Sequence, residues 1–509
     1  MRKTVADTSL SPPIHSSWVP FLGHIFNIAT KGSNLYISSL WYVEQYPTEY
    51  TSCLTWMSTS AIQRSPIATL KLPGQDMHLI HPLDLSSIKQ FTGMRHLSLM
   101  AVFHIAVGPA MGLVPASEKF LTDPDTGAFK RGLSRLFNDE LRSLQNLHKY
   151  AFQLEKKIDG YWRQNFATQE VSINIGLESW IFDILSRSMG AVFWGEQGPF
   201  EDKLFRQHLK LFIQNLETLR NSITFLIPSE LRSAREYVRK KIAQSTFDEA
   251  YGGEDVTLFK RLALLYDSLE IPPECFSDCH LVAIVGLMSN VINIISWALC
   301  HILANLELRD ALVEELKRLV DTSSSPYLII DADRIRNNCP LLVATWYELL
   351  RVYGDSPVAR GVQKDSLFDG KYRLEKGSII ITPIHLHNFD KNIWGEYTGS
   401  FQPHRFLQNG KSVDAELVKH LNVFGLPGMH QCPGRYLGST MTLAFLGKLL
   451  LEFDITPVPD DALGKGNIPK RKETMLGLPA ISKDPKVNMR RRRGIEGVRV
   501  AFDNVKPGW

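Results

Sequence analysis

The strongest hydropathy signal of the chain lies well inside it, between Leu281 and Leu308, where the only acidic or basic residues are His301 and Glu307. A segment of this length is long enough to cross a membrane as a helix. Polar side chains nevertheless interrupt it at Ser289, Asn290, Asn293 and Asn305. Because polar groups are costly inside a bilayer, we predict a helix buried in the middle of a large soluble domain.

The rest of the chain also favours helices. Residues 132–165 and 309–320 carry apolar side chains at intervals of three and four residues. Strand-like runs are short and lie at 67–71, 372–374 and 378–382. Since strands do not alternate with helices, the pattern predicts a mainly α fold, with small β-sheets attached to a helical body.

We expect one domain over residues 1–509, because no repeat, low-complexity tract or Gly/Ser linker divides the chain. The N-terminal segment, 1–30, lacks the ~20 consecutive apolar residues of a transmembrane helix. Residues 46–65 are polar, rich in Ser and Thr and without periodicity, which indicates an inserted loop. Residues 490–509 form a C-terminal tail that begins with four arginines.

Charge and cysteine content exclude some classes of protein. A formal net charge of +4 is small for a nucleic-acid-binding protein, so we expect no nucleic-acid partner. The run Arg490–Arg493 is interpreted as a solvated segment, with a contact to an acidic partner or to anionic lipid as the alternative. The six cysteines are sparse and unpatterned, which favours a reducing compartment over a disulfide framework.

The residues most suggestive of chemistry lie in the segment Asn422–Gly438, NVFGLPGMHQCPGRYLG, around Cys432. Glycines allow backbone amides to approach a large ligand, and amides directed at a sulfur stabilise its thiolate. An apolar helix is predicted directly after Pro433, so the sulfur would lie just before a helix N-terminus, which favours an anion. We interpret Cys432 as a thiolate ligand of haem iron, with a buried free cysteine in a Gly-rich turn as the alternative.

This segment resembles the cysteine loop of the cytochrome P450 family, and the resemblance extends over essentially the whole chain. Gly428 and Gly434 match the family's glycines four residues before and two after the cysteine. His430 matches the residue that commonly contacts a haem propionate. Phe424 lies eight residues before Cys432 rather than the usual seven, so the loop carries an apparent one-residue insertion.

Two further motifs support the resemblance. Glu348 and Arg351 lie three residues apart, so they share one helix face, a spacing that by itself usually marks a surface ion pair. Together with Arg405 in the segment FQPHRF, they match the structural triad that holds the haem-loop region of the family. Arg360, nine residues after Arg351, matches a propionate-binding arginine, and a planar guanidinium suits a carboxylate.

The apolar segment resembles the helix that the family runs over the distal face of the haem. Gly286 matches the first position of the family's oxygen-site motif. Ser289 then takes the place of the usual acid and Asn290 that of the usual threonine, so the acid–alcohol pair that relays protons is absent. Asn290 could still donate a hydrogen bond from its amide. Asn in this place is typical of the branch that contains sterol 7α-hydroxylases and prostacyclin synthase.

The resemblance implies a cytochrome P450 fold with haem b between the distal helix and the Cys432 loop. It also implies a monooxygenase that takes electrons from NADPH through NADPH-cytochrome P450 reductase and inserts one atom of O2 into a substrate. We expect a bulky, hydrophobic small molecule of steroid, terpenoid or polyketide type, and a role in secondary metabolism. The expected location is the endoplasmic reticulum surface through a peripheral membrane contact, and otherwise the cytoplasm. A reductase-independent rearrangement enzyme and a non-catalytic haem-binding paralogue remain as alternatives.

Overall fold

The structure is a computed structural model. It describes residue 11 and residues 67–72, 75–80, 85–99, 101–103, 107–122, 127–165, 172–221, 227–246, 257–319, 332–354, 356–382, 384–426, 431–472, 474 and 476–492. The predicted inserted loop at 46–65, almost all of the N-terminal segment 1–30 and residues 493–509 of the predicted tail lie outside these residues. The tail begins later than predicted, because Arg490 and Arg491 belong to a strand and Arg491 pairs with the buried Glu452 at 3.1 Å.

Helices dominate the described part of the chain, as the sequence predicts. In chain order they are α1 Leu85–Gly93, α2 Gly108–Met111, α3 Pro115–Thr122, α4 Gly127–Arg142, α5 Leu144–Asn165, α6 Leu177–Phe193, α7 Lys203–Ile213, α8 Leu216–Asn221, α9 Ser229–Thr246, α10 Leu258–Ser268, α11 Phe276–Ala304, α12 Leu306–Lys317, α13 Ala332–Asn338, α14 Pro340–Tyr353, α15 Ile384–Asn388, α16 Lys391–Trp394, α17 Ala415–Val418 and α18 Arg435–Glu452.

The strands form small, separate sheets. They are β1 Ile67–Leu72, β2 Gln75–Ile80, β3 Leu97–Ser98, β4 Ser172–Gly176, β5 Val358–Val362, β6 Ser366–Phe368, β7 Tyr372–Leu374, β8 Ile379–Thr382, β9 Leu407–Gln408, β10 Ser412–Val413, β11 Phe453–Pro457 and β12 Lys486–Arg491. One sheet has the order β1-β2-β8-β5-β3, and a second has the order β11-β12-β4. The strands β6 and β7 form one two-stranded sheet, and β9 and β10 form another. The prediction of a mainly α fold with small sheets is confirmed.

The apolar segment that opens the sequence analysis forms α11, at the centre of the helical body. Helix α11 contacts α6, α9, α14 and α18, and most of its side chains are buried, Trp297 and Ile295 among them. Among the described residues, Pro273–Ala304 is the one helical stretch long and apolar enough to cross a membrane, and 67% of its most apolar window is buried. The apolar side chains of α11 therefore pack against the neighbouring helices.

The middle of α11 differs from its ends. Gly286 is exposed, and Leu287, Ser289, Asn290 and Val291 are partly exposed, although residues 292–300 are buried without interruption. A Cβ atom placed on Gly286 would meet no other atom within 4 Å. The helix therefore presents an open stretch in its middle, at the positions where the sequence predicts an oxygen site.

Candidate active site

Cys432 lies in the turn that leads into α18. Its backbone N–H donates to Phe424 O at 2.9 Å, which closes the base of the loop. Gly434 is the N-cap residue of α18, and the backbone amides of Gly434 and Arg435 donate to the Cys432 sulfur. These amides belong to the helix N-terminus, whose partial positive charge favours a thiolate.

The electrostatics of Cys432 combine opposing effects. Cys432 retains accessible surface, yet the protein around its sulfur is dense, and burial raises the pKa of the thiol. The two amides and the Arg435 guanidinium lower that pKa, against the effect of burial. Arg435 is itself buried, and its Nη1 donates to Cys432 O at 2.8 Å. A thiol in such surroundings becomes a thiolate when a metal ion takes the place of its proton.

Only part of the loop before Cys432 belongs to the described residues. Gly428 and His430 lie outside the described residues, so the propionate contact predicted for His430 stays a prediction. Gly425, in the place where the family carries its Phe, has a φ of 81°. This left-handed conformation suits glycine, so the apparent insertion coincides with a turn that a phenylalanine would strain.

Glu348, Arg351 and Arg405 lie together in one buried network. Arg351 Nε and Nη2 donate to the two Glu348 carboxylate oxygens at 2.8 Å each, and both side chains have 0% exposure. Arg405 Nε lies 3.5 Å from Glu348 Oε2. The Gln402 amide donates to Glu348 Oε1 at 2.8 Å. A buried fork of this kind fixes both partners in one geometry.

The two arginines also extend this network to the backbone of the segment before residue 405. Arg351 Nη1 donates to Asn388 O at 2.9 Å, and Arg405 Nη2 donates to Tyr397 O at 2.9 Å. Arg405 Nη1 donates to Trp394 O. Burial lowers the pKa of Arg405, and Glu348 opposes that shift. The network thus joins α14 to the meandering chain that leads toward the Cys432 loop.

Arg360 is a buried cation on β5. It is 8% exposed, its Nη1 donates to Ala359 O at 2.8 Å, and its guanidinium lies over the Phe91 ring at 5.8 Å. Within the described chain no carboxylate pairs with it, and burial lowers its pKa to about 10. A buried guanidinium without a carboxylate is costly unless an anion from another source neutralises it.

A second buried polar atom without a described hydrogen-bond partner lies just before β3, the strand that pairs with β5. His96 Nε2 is buried and finds no hydrogen-bond partner among the described residues. His96 immediately precedes β3, and its carbonyl accepts from Gln363 N at 2.9 Å. Sequence reasoning did not single out His96, because an isolated histidine between Arg95 and Leu97 carries no local signal. Arg360, a buried cation for which the described chain supplies no carboxylate, fits a ligand that carries carboxylates.

The two residues predicted at the oxygen site are both in α11 but make different contacts. Ser289 Oγ donates to Val285 O at 2.7 Å, within its own helix. Asn290 Oδ1 accepts from the backbone N–H of Leu478 at 2.8 Å. Their catalytic roles stay predictions. Val291, the next residue, faces α18, since a Cβ on Gly438 would lie 3.8 Å from Val291 Cγ2.

The segment 476–479 is a wall of this site that sequence reasoning missed. Asn293 Nδ2 donates to Leu478 O at 2.8 Å, and Trp297 Nε1 donates to Pro479 O at 2.7 Å. Ser356 Oγ donates to Gly477 O at 2.6 Å from the segment between α14 and β5. The signal that could have indicated these contacts is the polar series Asn290, Asn293 and Trp297, which share one helix face.

These features fit haem. A turn that stabilises a thiolate would supply the axial ligand, a buried arginine without a described carboxylate would bind a propionate, and the open stretch in the middle of α11 would form a distal wall. The cytochrome P450 family model matches residues 136–483, which is more than half of the chain. The chain belongs to the cytochrome P450 family, and haem b is the cofactor that this family implies.

Curated relatives are similar over part of their length. The cytochrome P450 monooxygenase nodJ of Hypoxylon pulicicidum is 29% identical over 35% of this chain and 37% of its own. The cytochrome P450 monooxygenase poxD of Penicillium oxalicum is 30% identical over 32% of this chain and 34% of its own. Human steroid 21-hydroxylase is 27% identical over 48% of this chain and 44% of its own. The chain thus spans between one third and one half of the length of these relatives.

Proposed function

We propose that this protein is a haem-thiolate monooxygenase that inserts one oxygen atom from O2 into a bulky, apolar small molecule. The observation that carries the proposal is the placement of Cys432, whose sulfur receives backbone hydrogen bonds at the N-terminus of α18. Haem held by a thiolate supplies electron density that favours O–O bond cleavage. The protein's own share is to hold the cofactor, shape the pocket and direct polar groups at it.

Five residues would hold the cofactor, and two of them, Gly428 and His430, lie in the Cys432 loop outside the described residues. Cys432 would ligate the iron, with Gly434 beside it as the N-cap residue of α18. Arg360 and His430 would bind propionates, the first supported by its buried and unpaired charge. The buried network of Glu348, Arg351 and Arg405 would keep the cofactor region rigid and would take no part in bond-making.

The pocket wall supports an apolar substrate. Leu287 and Val291 are partly exposed in the open stretch of α11, whereas Met288 is fully buried and points into the core. Leu476 and Leu478 pack against the same core from the opposing segment. A mostly apolar wall with few polar groups is the usual composition of a small-molecule site. A steroid, terpenoid or polyketide skeleton, made in secondary metabolism, suits such a wall.

Partners and location follow as further proposals. Electrons would come from NADPH through NADPH-cytochrome P450 reductase. The protein would lie at the endoplasmic reticulum surface, with a peripheral membrane contact. The whole chain would form one domain and would lie nearest to the sterol 7α-hydroxylase and prostacyclin synthase branch, a proposal that its distal motif supports. The names of the fungal relatives are compatible with a monooxygenase but identify no substrate for this chain.

The test is reconstitution with a reductase, NADPH and candidate skeletons, followed by mass spectrometry for the gain of one oxygen atom. The reduced carbon monoxide complex should show the thiolate-type Soret band. Absence of that band would overturn the haem-thiolate assignment. A haem-binding protein with the band but no turnover on any skeleton would favour the non-catalytic paralogue.

A reductase-independent rearrangement is the second candidate function. The specific observation in its favour is that the middle of α11 offers no acid–alcohol pair, since Ser289 bonds within its helix and Asn290 bonds to Leu478. Proton delivery to dioxygen normally uses such a pair, whereas a rearrangement needs no delivered protons. Turnover of an activated substrate such as a peroxide without NADPH or reductase would establish this candidate over the first.

A further inference from the structure

The backbone of Leu478 is held at both of its polar groups by one face of α11. Its N–H donates to Asn290 Oδ1 at 2.8 Å, and its C=O accepts from Asn293 Nδ2 at 2.8 Å. Asn290 and Asn293 lie three residues apart and so occupy the same face of the helix. We call Asn290, Asn293 and Leu478 the asparagine clamp. Its two asparagine side chains bind the N–H and the C=O of Leu478, as a neighbouring strand would, although Asn290 and Leu478 lie 188 residues apart in the sequence.

Chemistry alone sets the orientation of the Asn290 amide in this clamp. A backbone N–H can donate only to an acceptor, and the acceptor of an asparagine side chain is its oxygen. Because Oδ1 is bound to Leu478, the Nδ2 group of Asn290 is directed away from that contact. Within the described residues no acceptor binds this Nδ2, and Asn290 keeps part of its surface exposed in the open stretch of α11.

Gly477 is fitted to the same arrangement. Its φ is 81°, and a Cβ atom placed on it would lie 2.5 Å from Asn290 Oδ1. That separation is far below contact distance, so a larger residue would displace either the loop or the asparagine. Ser356 fixes Gly477 from the other side through its hydrogen bond to Gly477 O at 2.6 Å. The loop is therefore held between α11 and the segment that precedes β5.

We propose that the asparagine clamp holds Asn290 as a one-way hydrogen-bond donor, with Nδ2 presented to the ligand that binds over the haem. Asn290 is then the residue that touches the ligand, and Asn293 and Gly477 are positioning residues that act through it. This inference rests on the proposed haem-thiolate function. It adds that the chain replaces a proton-relaying pair with an oriented amide, which donates a hydrogen bond but has no proton to give up.

The experiment uses the ferrous holoprotein with carbon monoxide as the probe, and it measures the C–O stretching frequency by infrared spectroscopy. A donor near the carbon monoxide oxygen lowers this frequency. We expect Asn290→Leu to raise it by several wavenumbers. Asn290→Asp keeps an acceptor for Leu478 but loses the donor, so it should raise the frequency as well. Asn293→Leu and Gly477→Ala should broaden or split the wild-type band, because Asn290 would no longer be held in one orientation.

Ser296→Ala is the matched control, since Ser296 is buried in the same helix and its hydroxyl donates to Ile292 O of that helix. It should leave the band unchanged. An unshifted band in Asn290→Leu would overturn the donor role. A shift in Asn290→Leu with unaltered bands in both Asn293→Leu and Gly477→Ala would overturn the clamp as the positioning device. Loss of the thiolate-type Soret band in every protein, the wild type included, would instead overturn the proposed function.

Discussion

Replacing Glu348 by glutamine removes one negative charge from a network that holds two buried guanidinium groups. Glu348 and Arg351 have 0% exposure and Arg405 has 10%, so water cannot compensate the lost charge. Breaking a buried ion pair by removing one partner costs about 3–5 kcal/mol. Since the folding stability of a domain is typically about 5–15 kcal/mol, we expect Glu348→Gln to lose a large share of it.

The assay follows unfolding in urea by far-ultraviolet circular dichroism, which reports on helices and not on haem. Glu416→Gln is the control, because Glu416 is paired with Lys419 at the same three-residue spacing but both side chains are exposed; we expect it to change stability by less than about 1 kcal/mol. The double variant Glu348→Gln/Arg351→Met should cost less than the sum of its single changes. A change of less than about 1 kcal/mol for Glu348→Gln would refute the reasoning from buried charge.

Three further outcomes follow from the site and the core. Cys432→Ser should abolish the thiolate-type Soret band of the reduced carbon monoxide complex and leave the far-ultraviolet circular dichroism unchanged. The control Cys300→Ala, a change in the buried core, should keep the band. Arg360→Leu should release haem to excess apomyoglobin about tenfold faster, since hydrogen bonds to charged groups contribute about 1.5–3 kcal/mol. Arg373→Leu, at a half-exposed position on β7, should leave the rate of haem release unchanged. Burial lowers the pKa of His280 to about 3, so the unfolded chain binds its proton first, and His280 costs about 2 kcal/mol of stability at pH 5 relative to pH above about 6.5. His280→Phe should reduce the pH dependence of stability in urea titrations by that amount, while buried His301, whose pKa is also lowered to about 3, keeps its own share; an unchanged slope would contradict the prediction.

Local sequence patterns predicted much of the architecture. The strand β7 begins and ends at the predicted residues, and β8 starts one residue later than predicted. The long apolar segment became the central buried helix, because its interrupted hydropathy suits a protein core better than a bilayer. The pairing of Glu348 with Arg351 follows from helix geometry, which is a local property. What stays untested is the chemical role of these site residues.

Long-range features and helix ends could not be read in the same way. The segment 132–165, which shows helical periodicity throughout, forms parts of two helices, since α4 ends at Arg142 and the Ser143 carbonyl accepts the first hydrogen bond of α5. The apolar periodicity continues from α4 into α5, so it does not reveal where the first helix ends. The contact of Asn290 with Leu478 depends on how two distant segments pack, and no spacing in either segment encodes it.

The sheet β11-β12-β4 also determines the order in which this protein can fold. Its central strand, β12, pairs with β4, which lies more than 300 residues earlier in the chain. The strands β4 and β11 therefore keep unpaired edges until about residue 490 has been synthesised. Contacts of such high sequence separation slow folding and leave edges open to aggregation. We therefore expect the nascent chain to depend on chaperones for most of its synthesis, and a stall before β12 to yield insoluble protein rather than a partly active enzyme.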